Sequence, residues 1–146
     1  MTVTQLALPG LRKQGSGVIV NVSSAVTLKT IPLLSAYTAS KAAVEAFSEG
    51  LALEVAPFGL RVRLVLPGRA PGTSFGAAAR ERSKNGIPDA YVEWAGKVLS
   101  APTPETSDVT TAVDVAKAVW QAVTDASSPF RIPAGADAVT LAAQSA

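Results

Sequence analysis

The chain has 146 residues, 48% of them hydrophobic and 16% charged, with a formal net charge of +2 and neither cysteine nor histidine. That length suits one domain, since domains commonly run to roughly 100–200 residues. The two missing residue types exclude disulfides, thiolate nucleophiles, cysteine zinc sites and Ser-His-Asp triads, leaving proton chemistry near neutral pH to carboxylate, lysine or tyrosine. In chain order, Val3, Leu6, Leu8 and Leu11 recur at helical spacing before Arg12-Lys13, a cationic last turn. Pro9-Gly10 falls inside that pattern and predicts a kinked or short helix. After the Gly15-Ser16-Gly17 turn, Val18-Ile19-Val20-Asn21-Val22 is β-branched with little alternation, the signature of a parallel strand covered on both faces.

A loop containing Pro32 leads to a long helix, about Ser35 to Ala56, with Val44, Phe47, Leu51 and Val55 in register. Ala42, Ala43, Ala46, Ala52 and Leu53 widen its apolar arc, so more than one side is expected to be covered, and Glu45 and Glu49 are expected on a solvated face. Pro57 and Gly59 end the helix, and Leu60 to Leu66 forms a second strand. Strand, helix and strand in that order predict a right-handed crossover in a parallel sheet. Beyond Pro67-Gly68 the pattern loosens: short helices are expected around Ala77–Arg82 and Ala90–Leu99, separated by Gly86 and Pro88, then a linker at Ala101–Pro104. Thr111-x-x-Asp114 opens a helix to Asp125 with Val115, Val119 and Val123 at helical spacing. Phe130-Arg131-Ile132 reads as a short strand, and the last residues as a frayed helix.

Charge adds little. Thirteen Lys+Arg against eleven Asp+Glu is near balance, and 5% aromatic residues give no stacking platform for bases, so nucleic acid is not an expected partner. Arg80, Arg82 and Lys84 enclose Glu81 and read as a solvated helix face. No apolar run approaches the roughly 20 residues of a membrane span, and no secretory signal opens the chain, which is compatible with a cytoplasmic protein. No metal-ligand cluster stands out.

Three features converge on one rim. Ser24 lies just past the first strand, Tyr37 and Lys41 sit four apart near the start of the long helix, and Pro67-Gly68 closes the second strand. Ligands of open α/β sheets bind outside the carboxyl ends of the strands. A tyrosine ordinarily has a pKa of about 10, so its use as a base near pH 7 requires about 4 kcal/mol. An ammonium 4 Å away, in an effective dielectric of about 20, supplies roughly that much. A helix N-terminus adds up to about 1 kcal/mol for an anion. Ser24 could then hold a substrate oxygen while Tyr37 moves the proton. Ser23 reads as a strand-end hydrogen-bonding residue, and Asn21 as serving backbone or sheet edge. Gly68, Gly72 and Gly76 do not form a phosphate loop, because Pro71 interrupts them and no P-loop lysine follows. Phe75, Tyr91 and Trp94 line either a substrate pocket or a helical core or lid.

Asn21-Val22-Ser23-Ser24, Tyr37-Thr38-Ala39-Ser40-Lys41-Ala42-Ala43-Val44 and Leu66-Pro67-Gly68 resemble the C-terminal half of a short-chain dehydrogenase/reductase, strongly over residues 3–68. Ser24 and Tyr37 are thirteen apart, and Tyr37 and Pro67 thirty apart, as in that family. The resemblance implies an α/β fold, a partial Rossmann-like doubly wound parallel sheet in one partial domain over residues 1–146, with a substrate-loop or lid region at 69–107. It implies NAD(P)-dependent oxidoreduction of a small alcohol/carbonyl substrate. Tyr37 would be the general acid/base, Ser24 would polarise the oxygen, and Lys41 would bind the nicotinamide ribose and assist the tyrosine. Val22, Pro67 and Gly68 join Tyr37 and Lys41 as implied contacts of an NAD or NADP cofactor, and helix 35–56 as an implied homo-oligomer interface.

The sequence also departs from the family. The glycine-rich phosphate turn and the Asn-Ala-Gly segment are absent, Thr27 stands where glycine is usual, and a glycine-rich ending is lacking. A second expectation is therefore a truncated, non-catalytic piece that serves as an interaction surface or needs the missing half, with strand 18–22 at an open sheet edge. The nucleotide-sugar epimerase branch fits less well, since its serine normally lies farther from the tyrosine.

Overall fold

A computed structural model of the chain describes residues 1–82, 87–100 and 109–145. Helix α1 (Thr2–Gln14) leads to strand β1 (Gly17–Val22), a 3-10 turn at Ala25–Thr27 and helix α2 (Ser35–Val55). A second 3-10 turn at Ala56–Phe58 precedes β2 (Leu60–Pro67). Then come α3 (Phe75–Arg82), α4 (Asp89–Ser100), α5 (Ala112–Thr124), β3 (Arg131–Ala134) and α6 (Ala136–Ser145). The linker expected at 101–104, Gly86 and Lys84 lie outside the described residues, as do the side chains of Arg80 and Arg82.

The sheet is parallel throughout, ordered β1-β2-β3, with Gly17 opposite Leu60, Val22 opposite Val65, and Leu64 opposite Arg131. This is the parallel α/β arrangement expected from strand–helix–strand patterning, in the Rossmann-like form that the resemblance implies. Gly59 closes the α2–β2 connection at φ 71°, and a Cβ there would run into the Gly15 carbonyl, so glycine is required on both counts.

Alternation along the strands sorts the core into two faces. Leu60 and Val62 pack with Leu51 and Val55 of α2, joined by Leu8 and Leu11 of α1. Val65, Ile132 and Ala134 pack with Ala118 and Ala122 of α5, joined by Val20, Val115 and Val119. The central strand is the most buried, with Leu64 and Val65 fully enclosed. Arg61 and Arg63 share the α5 face: Arg61 donates to the Val123 and Asp125 carbonyls, and Arg63 to the Ala126 carbonyl and Ser128 hydroxyl. Those guanidiniums satisfy carbonyls at the end of α5 that have no helical partner.

Several expectations are corrected. Of the two alternatives for α1, the short helix is the one overturned: it continues through Pro9-Gly10 over Thr2–Gln14, because one lost N–H is a local deficit that the flanking turns and the packing of Leu8 and Leu11 outweigh. Val3 and Leu6 remain exposed. Helix α2 buries one face, through Glu45, Ser48, Leu51 and Val55, and Leu53 is 79% exposed on the other. On α5 the buried positions are Ala118 and Ala122, with Val123 exposed, because small residues let the helix approach the sheet closely. Neither Glu45 nor Glu49 sits on a merely solvated face: Glu45 is buried, and Glu49 pairs with Arg131.

Candidate active site at the carboxyl ends of the strands

β1 delivers Val22, Ser23 and Ser24 to the rim where the sheet ends. Ser24 caps the 3-10 turn from an extended backbone (φ −163°, ψ 147°), its hydroxyl oxygen accepting from the Val26 N–H at 3.3 Å. Its carbonyl accepts from the Thr27 N–H at 3.3 Å. Ser23 is buried; its N–H bonds to the Val65 carbonyl at 2.9 Å, extending the β1–β2 ladder past the strand.

Tyr37 and Lys41 stand in the first two turns of α2. Lys41 Nζ lies 5.8 Å from the centre of the Tyr37 ring and donates to the Val22 carbonyl at 3.3 Å. The ammonium thus bridges the Tyr37 face of the helix to the residue two before Ser24. Tyr37 is half-buried, and its ring meets Phe75, at the start of α3, with centroids 5.7 Å apart and planes tilted by 53°. Tyr91 and Trp94 of α4 meet edge to face at 6.4 Å; both are about half-exposed and outside the core.

Pro67-Gly68 is held from behind by residues that sequence reasoning missed. The Gly68 N–H donates to Thr110 Oγ1 at 2.9 Å and lies 3.3 Å from the Ala134 carbonyl. The Arg69 N–H donates to Asp137 Oδ2 at 2.6 Å. The buried Thr110 hydroxyl has Asp137 Oδ1 and the Ala134 carbonyl each at 2.8 Å, and the Thr110 N–H donates to the Arg69 carbonyl at 2.7 Å. A Cβ on Gly68 would overlap the Asp137 carboxylate. Thr110 and Asp137 therefore fix this turn to β3 and to the start of α6. The only signal in the sequence was an acid in the first turn of the last helix.

A second polar stripe runs along the buried face of α2. Asn21 Nδ2 donates to Ser48 Oγ at 2.8 Å, tying strand to helix rather than serving a sheet edge. Glu45 Oε1 accepts from Ser23 Oγ at 2.9 Å and from Thr27 Oγ1 at 2.6 Å, while Glu45 Oε2 faces Arg131 Nε at 3.7 Å. An open cavity of about 650 Å³ lies beside that carboxylate, lined by Thr27, Leu28, Glu45, Leu66, Arg131 and Ser145 among others, and not by Tyr37 or Lys41. Among the described residues, no group of three potential metal ligands gathers, and no helix is long and apolar enough to cross a membrane.

Residues 1–84 match the profile of the short chain dehydrogenase family. An uncharacterized oxidoreductase of Bacillus subtilis is 48% identical over 66 residues, which are 45% of this chain and 24% of that protein. A short-chain dehydrogenase from Streptomyces avermitilis superposes with a TM-score of 0.70 at 33% identity, over 97% of this chain and 50% of its own. A short chain dehydrogenase from Burkholderia cenocepacia, solved in complex with NADP, superposes with a TM-score of 0.63 at 25% identity, over 92% of this chain and 44% of its own. The chain spans about half the length of these solved relatives.

Proposed function

The chain belongs to the short chain dehydrogenase family, and from that premise we propose that it carries the proton-transfer half of an NAD(P)-dependent oxidoreductase acting on a small alcohol or carbonyl compound. The observation that carries the proposal is Lys41 Nζ, lodged between the Tyr37 ring and the Val22 carbonyl at the end of β1. In the oxidative direction Tyr37 takes the hydroxyl proton of the substrate; in the reductive direction it returns that proton to the carbonyl oxygen. The Ser24 hydroxyl, already accepting from Val26, donates its own proton to the same oxygen.

The donor set suits the nicotinamide–ribose end of a dinucleotide. An ammonium has three donors, and one of those of Lys41 is directed at Val22, which leaves others for ribose hydroxyls. When bound, the dinucleotide supplies or accepts the hydride. Val22, Pro67 and Gly68 would border it, and NAD and NADP both remain candidates. Phe75, tilted against Tyr37, would form an apolar wall on the substrate side, with 69–107 as the substrate loop. The open face of α2, with Leu53 on it, would pair with a second copy of the chain.

The test is turnover of NADH or NADPH with a panel of small ketones and alcohols, comparing the parent with Tyr37→Phe. Loss of turnover by at least a thousandfold in Tyr37→Phe supports the assignment; a variant as active as the parent overturns it. A second reading, an interaction module completed by another polypeptide, draws on β1, which has a strand neighbour on one side only among the described residues. Saturable binding of the dinucleotide by the chain alone favours the enzyme; binding seen only with a complementing polypeptide favours the second reading.

A further inference from the structure

Glu45 is 9% exposed, in the middle of the long helix and one turn beyond Lys41. A carboxylate in that position loses much of its hydration, and an aliphatic side chain would continue the stripe of Leu51 and Val55. Its partners show what the acid does. Oε1 accepts from Ser23 and Thr27, the hydroxyl residue just before Ser24 and the one that ends the 3-10 turn after it. The Thr27 hydroxyl has a single proton and two acceptors in reach, Glu45 at 2.6 Å and the Ser24 carbonyl at 2.8 Å; the charge-assisted bond to the carboxylate is the stronger. The hydrogen bonds of Ser24 itself, from the Val26 N–H and from Thr27, stay inside its own turn. The distance from Ser24 to the helix bearing Tyr37 and Lys41 is therefore set through its neighbours. Ser23 makes the second tie, with the Lys41 carbonyl 3.3 Å from its hydroxyl.

We propose that Glu45 is a positioning residue: through Oε1 it clamps Ser23 and Thr27 to the Tyr37/Lys41 helix and so fixes the Ser24 hydroxyl relative to the phenol. The role given to Ser24 and Tyr37 rests on the reading above, but the clamp is a property of the chain by itself. The other oxygen, Oε2, faces Arg131, whose guanidinium also pairs with Glu49 and whose side chain is 46% exposed. That ion pair is the rival explanation for an acid at this position, and it makes a different prediction.

Three variants separate the two: Glu45→Leu, which fills the site without an acceptor; Glu45→Gln, which keeps an acceptor oxygen for the hydroxyls; and Arg131→Met, which removes the ion pair and leaves Oε1 in place. Hydrogen exchange at Val26, Thr27 and Leu28 reads the turn directly, with the β2 amides of Val62 to Leu66 as the internal reference. Glu45→Leu is expected to speed exchange in the turn at least tenfold over the reference, with Glu45→Gln and Arg131→Met each within threefold of the parent. In turnover, Glu45→Leu is expected to lower kcat at least thirtyfold, with the cofactor KM changed less than threefold and Glu45→Gln recovering most of the rate. Turn exchange in Glu45→Leu equal to the parent overturns the clamp, as does Arg131→Met loosening the turn as much as Glu45→Leu. Should Glu45→Leu fail to fold, Thr27→Val removes one arm of the clamp, and unchanged exchange at Val26 and Leu28 would then overturn it. A parent without turnover overturns the proposed reaction alone, because the exchange measurement still decides the clamp.

Discussion

Replacing Thr110 with valine removes one hydroxyl and keeps the shape of the side chain, at a position 2% exposed. That hydroxyl accepts the Gly68 N–H at 2.9 Å and donates to Asp137 Oδ1 or the Ala134 carbonyl, each at 2.8 Å. A neutral hydrogen bond contributes about 1 kcal/mol net, and one to a charged group about 1.5–3 kcal/mol. The Gly68 N–H keeps the Ala134 carbonyl at 3.3 Å as a weaker partner, which reduces the first contribution. The expected loss is therefore about 2 kcal/mol, read as a lower urea midpoint at unchanged slope. Faster exchange of the Gly68 amide should accompany it. Gly68→Ala attacks the same clamp sterically, since its Cβ would enter the Asp137 carboxylate, and is expected to cost about 1–3 kcal/mol. In an Asp137→Ala background that penalty should shrink by at least about 1 kcal/mol, because the two groups touch. A Thr110→Val midpoint equal to the parent, with Gly68 exchange unchanged, would refute the idea that this clamp holds the Pro67-Gly68 turn.

Other outcomes follow from the same structure. Leu66→Ala, in the central strand with the side chain 1% exposed, is expected to lose about 3 kcal/mol in chemical denaturation; a loss below about 1 kcal/mol would contradict close packing there. Thr111→Ala removes the hydroxyl half of the capping box of α5, keeps the backbone N–H bond to the Asp114 carboxyl, and should cost about 1 kcal/mol at neutral pH. Hydrogen bonds from the Thr111 hydroxyl and N–H hold the Asp114 carboxyl below its ordinary value of 3.8 in the folded state. The part of the cap that depends on the ionised carboxyl is thus complete above the unfolded value and lost as pH falls through the lower, folded one, while the Asp114 N–H still donates to the Thr111 hydroxyl. The gap between the denaturation midpoints of parent and Thr111→Ala should narrow as pH drops below 3.8, and a constant gap would argue against the hydroxyl–carboxyl bond. Leu53→Glu, at a position 79% exposed, should leave the folding midpoint within about 0.5 kcal/mol of the parent and lower self-association in sedimentation. Unaltered association would remove the open face of α2 as the contact between copies.

Local information specified the strands, the helices and their order. β-branched Val18 to Val22, the alternating Leu60 to Leu66 and the breaker Pro57/Gly59 are short-range signals, and each element lies where those signals place it. The capping box was likewise legible, because Thr111 and Asp114 are three residues apart and bond to each other. The shared side of Ser24 and Pro67-Gly68, which follow β1 and β2, was legible too, since a parallel sheet delivers every strand end to the same side. Tertiary structure decided the rest. Glu45 looked like a surface acid because its two hydroxyl partners come from the loop after β1 and its cation from β3, with Arg131 far away in sequence. Asp137 and Thr110 looked like ordinary helix and loop residues for the same reason, their partners being the backbone of Gly68 and Arg69. A polar side chain announces its type in the sequence, but whether it is solvated or buried depends on groups that only the folded chain brings within hydrogen-bonding distance.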